Sequence, residues 1–163
     1  MDDLQLQHEV SQLLYREGLA LDRQHWDEWL DLFTDDVVLW IPSWITEHEQ
    51  ISDPQTEISL LYLNGKNYLR ERTERVVKGM SPASVPMPRT CHAVNNIVIE
   101  EAGTDSLTVQ SAFRVDYYHH KKCYAIFGHY KHQLVQQDGW KINNKRVTLM
   151  NDLVSEVLDV YLI

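Results

Sequence analysis

An α+β domain, with N-terminal helices packed on one curved and mostly antiparallel sheet, is the fold this sequence predicts. Three observations carry it. Apolar residues before Pro86-Met87-Pro88-Arg89-Thr90-Cys91-His92 recur mostly at helical spacing, and from there to about Met150 they alternate as in strands. The Asp138-Gly139 pair then sits between two alternating runs, where a tight hairpin turn belongs. Helices first and a run of strands afterwards is the order expected of segregated α and β layers.

The first helix is set by Leu6, Val10, Leu13, Leu14 and Leu21, which fall on one face. Trp26, Trp29, Leu30 and Phe33 follow at i, i+3, i+4 and i+7 and predict a short second helix whose aromatic stripe faces the core. Asp35-Asp36 breaks that pattern, and the β-branched run 37–41, stopped by Pro42, predicts a strand. Residues 43–56, polar and containing Asp53-Pro54, predict a loop with at most one helical turn. Residues 58–63 fit either period and are assigned to a strand because the run is short and ends in Asn64-Gly65. After Gly65 a helix runs to Lys78 with Leu69, Val76 and Val77 inward, and Arg70/Glu74, Glu71/Arg75 and Glu74/Lys78 form a charged, solvated face. Pro82, Pro86 and Pro88 make residues 81–89 a crossing loop. Four strands complete the chain at 90–101, 107–119, 123–136 and 140–150. Leu107, Val109, Phe113, Val115 and Tyr117 point inward, and Thr108, Gln110, Arg114 and Asp116 outward.

Composition bounds the function. A chain of 163 residues is one domain's worth, 1–163. With 44% hydrophobic and 24% charged residues it is an ordinary globular sequence rather than a disordered one. A formal charge of −9 repels polyphosphate, and the densest basic stretch, 70–78, is interleaved with Glu71 and Glu74, so nucleic acid is not an expected partner. No apolar run approaches the roughly 18 residues that cross a bilayer, and Met1-Asp2-Asp3 is acidic where a signal peptide is basic. The expectation is a cytoplasmic protein without a membrane partner, in which Cys91 and Cys123 are two buried free thiols.

Eight histidines make a metal site the first chemistry to test. On a strand, i,i+1 and i,i+3 neighbours face opposite ways, so His119-His120 and His129/His132 do not close on one ion, while a cross-strand pair such as His92 with His129 stays open. Cys91-His92 lacks the spacing of a Rieske cluster. Six scattered glycines form neither a dinucleotide fingerprint nor a Walker sequence, and no nucleophile elbow occurs. The remaining chemistry is acid–base work inside the curved sheet, with His92 beside Asp36 or Asp116 and a strand tyrosine. Against it stands the ordinary role of a strand histidine, which is to satisfy a hydrogen bond.

The runs Trp26-x-x-Trp29-Leu30-Asp31-Leu32-Phe33, Trp40-Ile41-Pro42, Asp53-Pro54 and Ile58-Ser59-Leu60 are joined by Pro88-Arg89-Thr90-x-His92-x-x-x-Asn96, Phe127-Gly128, Asn151-Asp152 and Leu158-Asp159-x-Tyr161. The layout resembles the nuclear-transport-factor-like cone, shared by ketosteroid isomerase, scytalone dehydratase and a group of oxygenase subunits. These motifs, in this order, resemble the small β subunit of aromatic-ring-hydroxylating dioxygenases, nearest the benzoate and anthranilate branch. The ending Tyr161-Leu162-Ile163 departs from the Tyr-His-Leu type of that branch.

The resemblance implies an NADH- and dioxygen-dependent oxidoreductase for catabolism of an aromatic acid, in which both oxygen atoms are added to the ring. It implies a division of labour within an α3β3 hexamer. The α subunit carries the Rieske 2Fe-2S cluster and the mononuclear iron, a reductase feeds electrons to it from NADH, and this chain carries no catalytic, metal or cofactor-binding residue while holding the α trimer in register. The Trp40–Trp44 loop and the 86–89 crossing are the contact candidates, with Trp40 assigned to internal packing. The alternatives are a stand-alone dehydratase or isomerase using His92 as general base, and a small-ligand binding module.

Overall fold

The computed structural model describes residues 2–151 and 157–163. Helix α1 (Asp3–Asp22) opens on Asp2, whose carboxylate accepts from the Gln5 backbone N–H at 2.7 Å and satisfies one of the unpaired donors of the first turn. It buries Val10, Leu13, Leu14 and Leu21, the predicted stripe. Helix α2 (Trp26–Asp31) is shorter than its aromatic stripe, because Phe33 opens strand β1 (Phe33–Ile41). Both locations bury the same rings: Trp29 and Phe33 meet edge to face at 4.9 Å, each at most 2% exposed and each contributing roughly 2–3 kcal/mol of burial.

The segment predicted as a loop contains a small hairpin of β2 (Trp44–Thr46) and β3 (Glu49–Gln50). The following strand is only β4 (Leu61–Asn64), and Ile58 is 89% exposed. Its ladder with β1 runs from Leu61 opposite Ile41 to Asn64 opposite Val38, and just before it the Ser59 hydroxyl accepts the Trp40 indole N–H at 2.9 Å. Helix α3 (Lys66–Val77) turns Leu69, Thr73 and Val76 inward, an i, i+4, i+7 stripe that leaves Val77 64% exposed rather than buried as expected. Of its predicted charge pairs Glu74–Lys78 forms at 2.9 Å, while Arg70 donates to Asn67. The 81–89 crossing holds a single 3-10 turn at Pro82–Ser84.

Strands β5 (Arg89–Ala102), β6 (Ser106–His119), β7 (Lys122–Gln136) and β8 (Trp140–Leu149) form the expected antiparallel meander. Its β7–β8 turn places Asp138 and Gly139 at φ 51° and 111°, the positive pair that this dipeptide tolerates. The sheet order is β4-β1-β8-β7-β6-β5, with β1 parallel to β8, the last strand among the described residues. Leu107, Val109, Phe113, Val115 and Tyr117 are all buried, on the face that also receives α1. Both cysteines are free, but on the outer face and exposed, because Cys91 pairs with outward Asp116 in the β5–β6 register.

Two glycines mark close approaches. A Cβ on Gly18 would lie 2.9 Å from the His92 Cβ, so α1 seats directly on β5. A Cβ on Gly128 would lie 1.9 Å from the Thr148 carbonyl oxygen, inside the β8 backbone. Gly128→Ala is expected to destabilise the fold by about 3 kcal/mol, at the upper end of overpacking costs, read as a lowered urea midpoint with unchanged m.

Candidate functional site

The concave face of the sheet, covered by α1, is where a cone-shaped fold can hold chemistry, and here it holds charge. Glu17 lies on the apolar stripe of α1 and is 2% exposed; Lys145, at an inward position of β8, is 1% exposed. The Lys145 Nζ donates to Glu17 Oε1 at 2.6 Å and lies 4.1 Å from the centroid of the Tyr130 ring. Tyr130 is stacked on Phe113 at 4.0 Å and 4°. His132, fully buried on β7, brings Nε2 to 3.6 Å from Glu17 Oε2, beyond hydrogen-bond reach, so it acts on the carboxylate through space.

Burial raises the Glu17 carboxyl, and Lys145 with His132 outweighs it, holding the group down at about 2 against an ordinary 4.5. Burial pulls His132 and Lys145 below their ordinary values, with Glu17 opposing it in both. The Glu17–Lys145 pair is an ion pair, in which each charge replaces the other's lost water at 2.6 Å. The Tyr130 phenol is raised by burial and by the carboxylates of Glu17 and Asp22, and stays protonated.

The second cluster surrounds His92. Its side chain is 2% exposed, and Nδ1 lies 2.6 Å from Asp22 Oδ1, so that nitrogen carries a proton and donates. The His92 backbone N–H donates to Asp22 Oδ2 at 3.0 Å and the Thr90 hydroxyl to Oδ1 at 2.8 Å. Burial lifts the Asp22 carboxyl, and these donors pull it below its ordinary value. The expected partners are elsewhere: Asp36 accepts from Asn143 at 3.0 Å, and exposed Asp116 forms a two-point pair with Arg114 at 2.7 and 2.9 Å. His92 Nε2 is buried without a partner among the described residues.

A third pin holds the C-terminal segment. Arg72 Nε donates to Asp159 Oδ1 at 2.9 Å, with the Asp159 side chain 1% exposed, and the Tyr161 and Ser84 hydroxyls lie 3.0 Å apart.

Among the described residues no group of three or more His, Cys, Asp or Glu side chains gathers as metal ligands. His129 is exposed and His132 buried, on opposite faces as alternation requires; His92 is interior, so it does not face His129 either. The strand rule does not hold for His119-His120, because His120 sits in the turn at φ 48° and the two rings come to 3.8 Å. His119 instead places Nε2 2.9 Å from the Pro86 carbonyl oxygen. Glu17, Asp22 and Lys145 were absent from the sequence-based candidates, and His132 was considered there only as a metal ligand paired with His129. The available signal was a charged side chain in an inward phase: Glu17 between Leu14 and Leu21, His132 between Tyr130 and Leu134, and Lys145 before Val147 and Leu149.

Helices covering one face of a curved, six-stranded sheet define the nuclear-transport-factor-like cone. The model of the ring-hydroxylating β subunit matches residues 16–156, and the chain belongs to that family. It is 32% identical over 154 residues to the benzoate 1,2-dioxygenase β subunit of Acinetobacter baylyi, covering 94% of this chain and 91% of that one. The anthranilate 1,2-dioxygenase small subunit of the same organism is 28% identical over 159 residues, covering 97% and 98%. The crystal structure of the benzoate 1,2-dioxygenase β subunit of Burkholderia mallei superposes with a TM-score of 0.78 at 34% identity, covering 94% and 95%. The resemblance drawn from the motifs therefore holds, including its benzoate and anthranilate side, and the chain takes part in an oxidoreductase as one subunit of a complex.

Replacing Lys145 by Met alone leaves Glu17 buried and unpaired and is expected to cost about 3–5 kcal/mol in urea denaturation, whereas Glu17→Leu/Lys145→Met together recovers most of the loss. The depressed Glu17 carboxyl contributes stability that is fully present above its ordinary 4.5 and is lost as pH falls toward about 2. Denaturation midpoints measured from pH 5 to 2 should therefore fall more steeply for the native chain than for Glu17→Gln.

Proposed function

We propose that this chain is a structural brace: the β subunit of the terminal oxygenase of an aromatic-acid dioxygenase, seated against an α trimer in an α3β3 assembly. The Rieske cluster and the mononuclear iron belong to α and fix the electron path there, with NADH reaching it through a reductase; no residue of this chain touches substrate or cofactor. The observation that carries the reading is the filled cone. Where a cone enzyme would enclose a substrate, this chain places the Glu17–Lys145 pair and the Phe113–Tyr130 stack. Such an interior adds stiffness, and a brace needs stiffness. A continuous core from α1 to β8 supports treating 1–163 as one domain.

The partner surface we favour is the end of the sheet at the β2–β3 hairpin. Trp44 is tied down by its indole N–H, which donates to the Leu149 carbonyl at 2.7 Å, and Ile45 and Met150, 55% and 51% exposed, line one concavity with it. Phe127 adjoins them through the Met150 N–H to Phe127 carbonyl bond. Exposed aromatic and aliphatic side chains on a fixed backbone suit a subunit contact. The 86–89 crossing is a weaker candidate, since Pro88 is buried and Arg89 lies over the Tyr118 ring at 4.6 Å. Trp40 packs internally, with Arg146 over its ring at 4.7 Å. Two exposed, unpaired thiols accord with a reducing cytoplasm. No helix among the described residues is long and apolar enough to cross a membrane.

Co-expression with an α subunit of a benzoate-type dioxygenase from the same source is expected to yield a mixed oligomer whose iron tracks the α content. Stoichiometric iron on this chain alone, or failure to form the mixed species, would count against the reading. Ile45→Asp/Met150→Asp should weaken assembly by about tenfold or more while leaving the fold intact, measured by analytical ultracentrifugation and circular dichroism.

A further inference from the structure

We propose that the cleft between α1, α2 and the start of β8 is a binding site for a small organic carboxylate. The cleft has a volume of ≈ 350 Å³, within the range of small-molecule sites. Three cations line it: Arg16 and Arg23, two turns apart on one face of α1 and its cap, and Lys141 from β8. In a chain of net charge −9 the cations of this lining outnumber its carboxylates, Glu28 and Asp31, by three to two.

Two of the cations, Arg16 and Lys141, are held in place without being neutralised. Arg16 Nε donates to the Gln12 carbonyl at 3.2 Å and the Lys141 Nζ donates to the Asp31 carbonyl. These acceptors are uncharged backbone oxygens, so they fix the side chains and leave their charge unspent. Among the described residues no carboxylate oxygen lies within 4.0 Å of Arg16, Arg23 or Lys141. Two carboxylates, Glu28 and Asp31, also line the cleft; Glu28 Oε1 lies 3.1 Å from His25 Nδ1, and the three cations outnumber them.

The floor decides the class of anion. Leu19, Ala20 and Leu32 line the same space, and Leu19 remains 45% exposed. Inorganic phosphate would meet the guanidinium groups and leave that floor wet. A carboxylate on an apolar body satisfies both, with the oxygens on the planar forks of Arg16 and Arg23 and the body on the leucines. The site lies on the outer side of α1, away from the filled interior, and the inference does not depend on assembly with α.

Benzoate is the probe, titrated into the whole chain by calorimetry and followed by amide chemical shifts. We expect saturable binding of one benzoate per chain, with shifts centred on residues 16–23 and 141. Benzamide, which keeps the ring and loses the charge, should bind about tenfold more weakly, and so should benzoate to Arg16→Gln/Arg23→Gln. If that variant fails to fold by circular dichroism, Lys141→Gln carries the same test, with about a threefold loss expected. Acetate or phosphate binding as tightly as benzoate would overturn the assignment of an organic carboxylate. Absence of saturation, or unchanged affinity in the folded variants, would overturn the site itself.

Discussion

The Glu17–Lys145 ion pair is the constraint around which the rest is arranged. It joins the middle of the first helix to the last strand across 128 residues, inside a shell of apolar side chains. Desolvating two charges is costly, and close geometry with favourable neighbours is what makes the arrangement tenable. The neighbours here are the Tyr130 ring face beneath the ammonium and the His132 imidazole beside the carboxylate. An apolar core tolerates small shifts of one layer over another. A buried pair at 2.6 Å does not, so it sets the register of α1 on the sheet, and the near-contact of Gly18 with His92 sets the spacing.

The motifs that carry the family resemblance acquire physical meaning in this frame. Thr90 and His92 both hold Asp22 at the end of α1. Gly128 admits the β8 backbone at a distance no side chain allows. Asn151 donates to the Ala125 carbonyl and accepts from the Phe127 N–H, tying the end of β8 back to β7; its motif partner Asp152 lies outside the described residues. Asp159 and Tyr161 dock the C-terminal segment onto α3 and the Pro82–Ser84 turn. Each marks a joint between elements. A brace is made of joints, and the same cone with an open interior serves unrelated chemistry, so the contents rather than the fold carry the functional meaning.

Much of this was legible in the sequence, and the illegible parts share one property. The meander from β5 to β8, the stripe of α1 and the Asp138-Gly139 turn are local patterns, each decided within a dozen residues by period or turn chemistry. Parallel pairing of β1 with β8 is not local, and a strand's own residues do not name its neighbour. The Asp22–His92 bond spans 70 residues, and spacing along the chain does not reveal such a partner, so Asp36 and Asp116 were named in its place. Val77 illustrates a smaller failure: two adjacent valines at the end of α3 fit the stripe about equally by spacing, and packing accepted only Val76. Glu17 and Lys145 were visible as charges in inward phases, but periodicity reads such residues as noise.

The parallel placement of β1 beside β8 also sets a timetable. During synthesis β1 is complete at Ile41, yet its inner neighbour begins only at Trp140. At a translation rate of ~5–20 residues per second, roughly 100 intervening residues impose a wait of ~5–20 seconds. Throughout that interval the first helix carries a carboxylate with no cation to meet, and β1 has only β4 beside it. Pairing of β1 on its inner side therefore waits for the β7–β8 hairpin, which delivers both the missing strand and the missing countercharge.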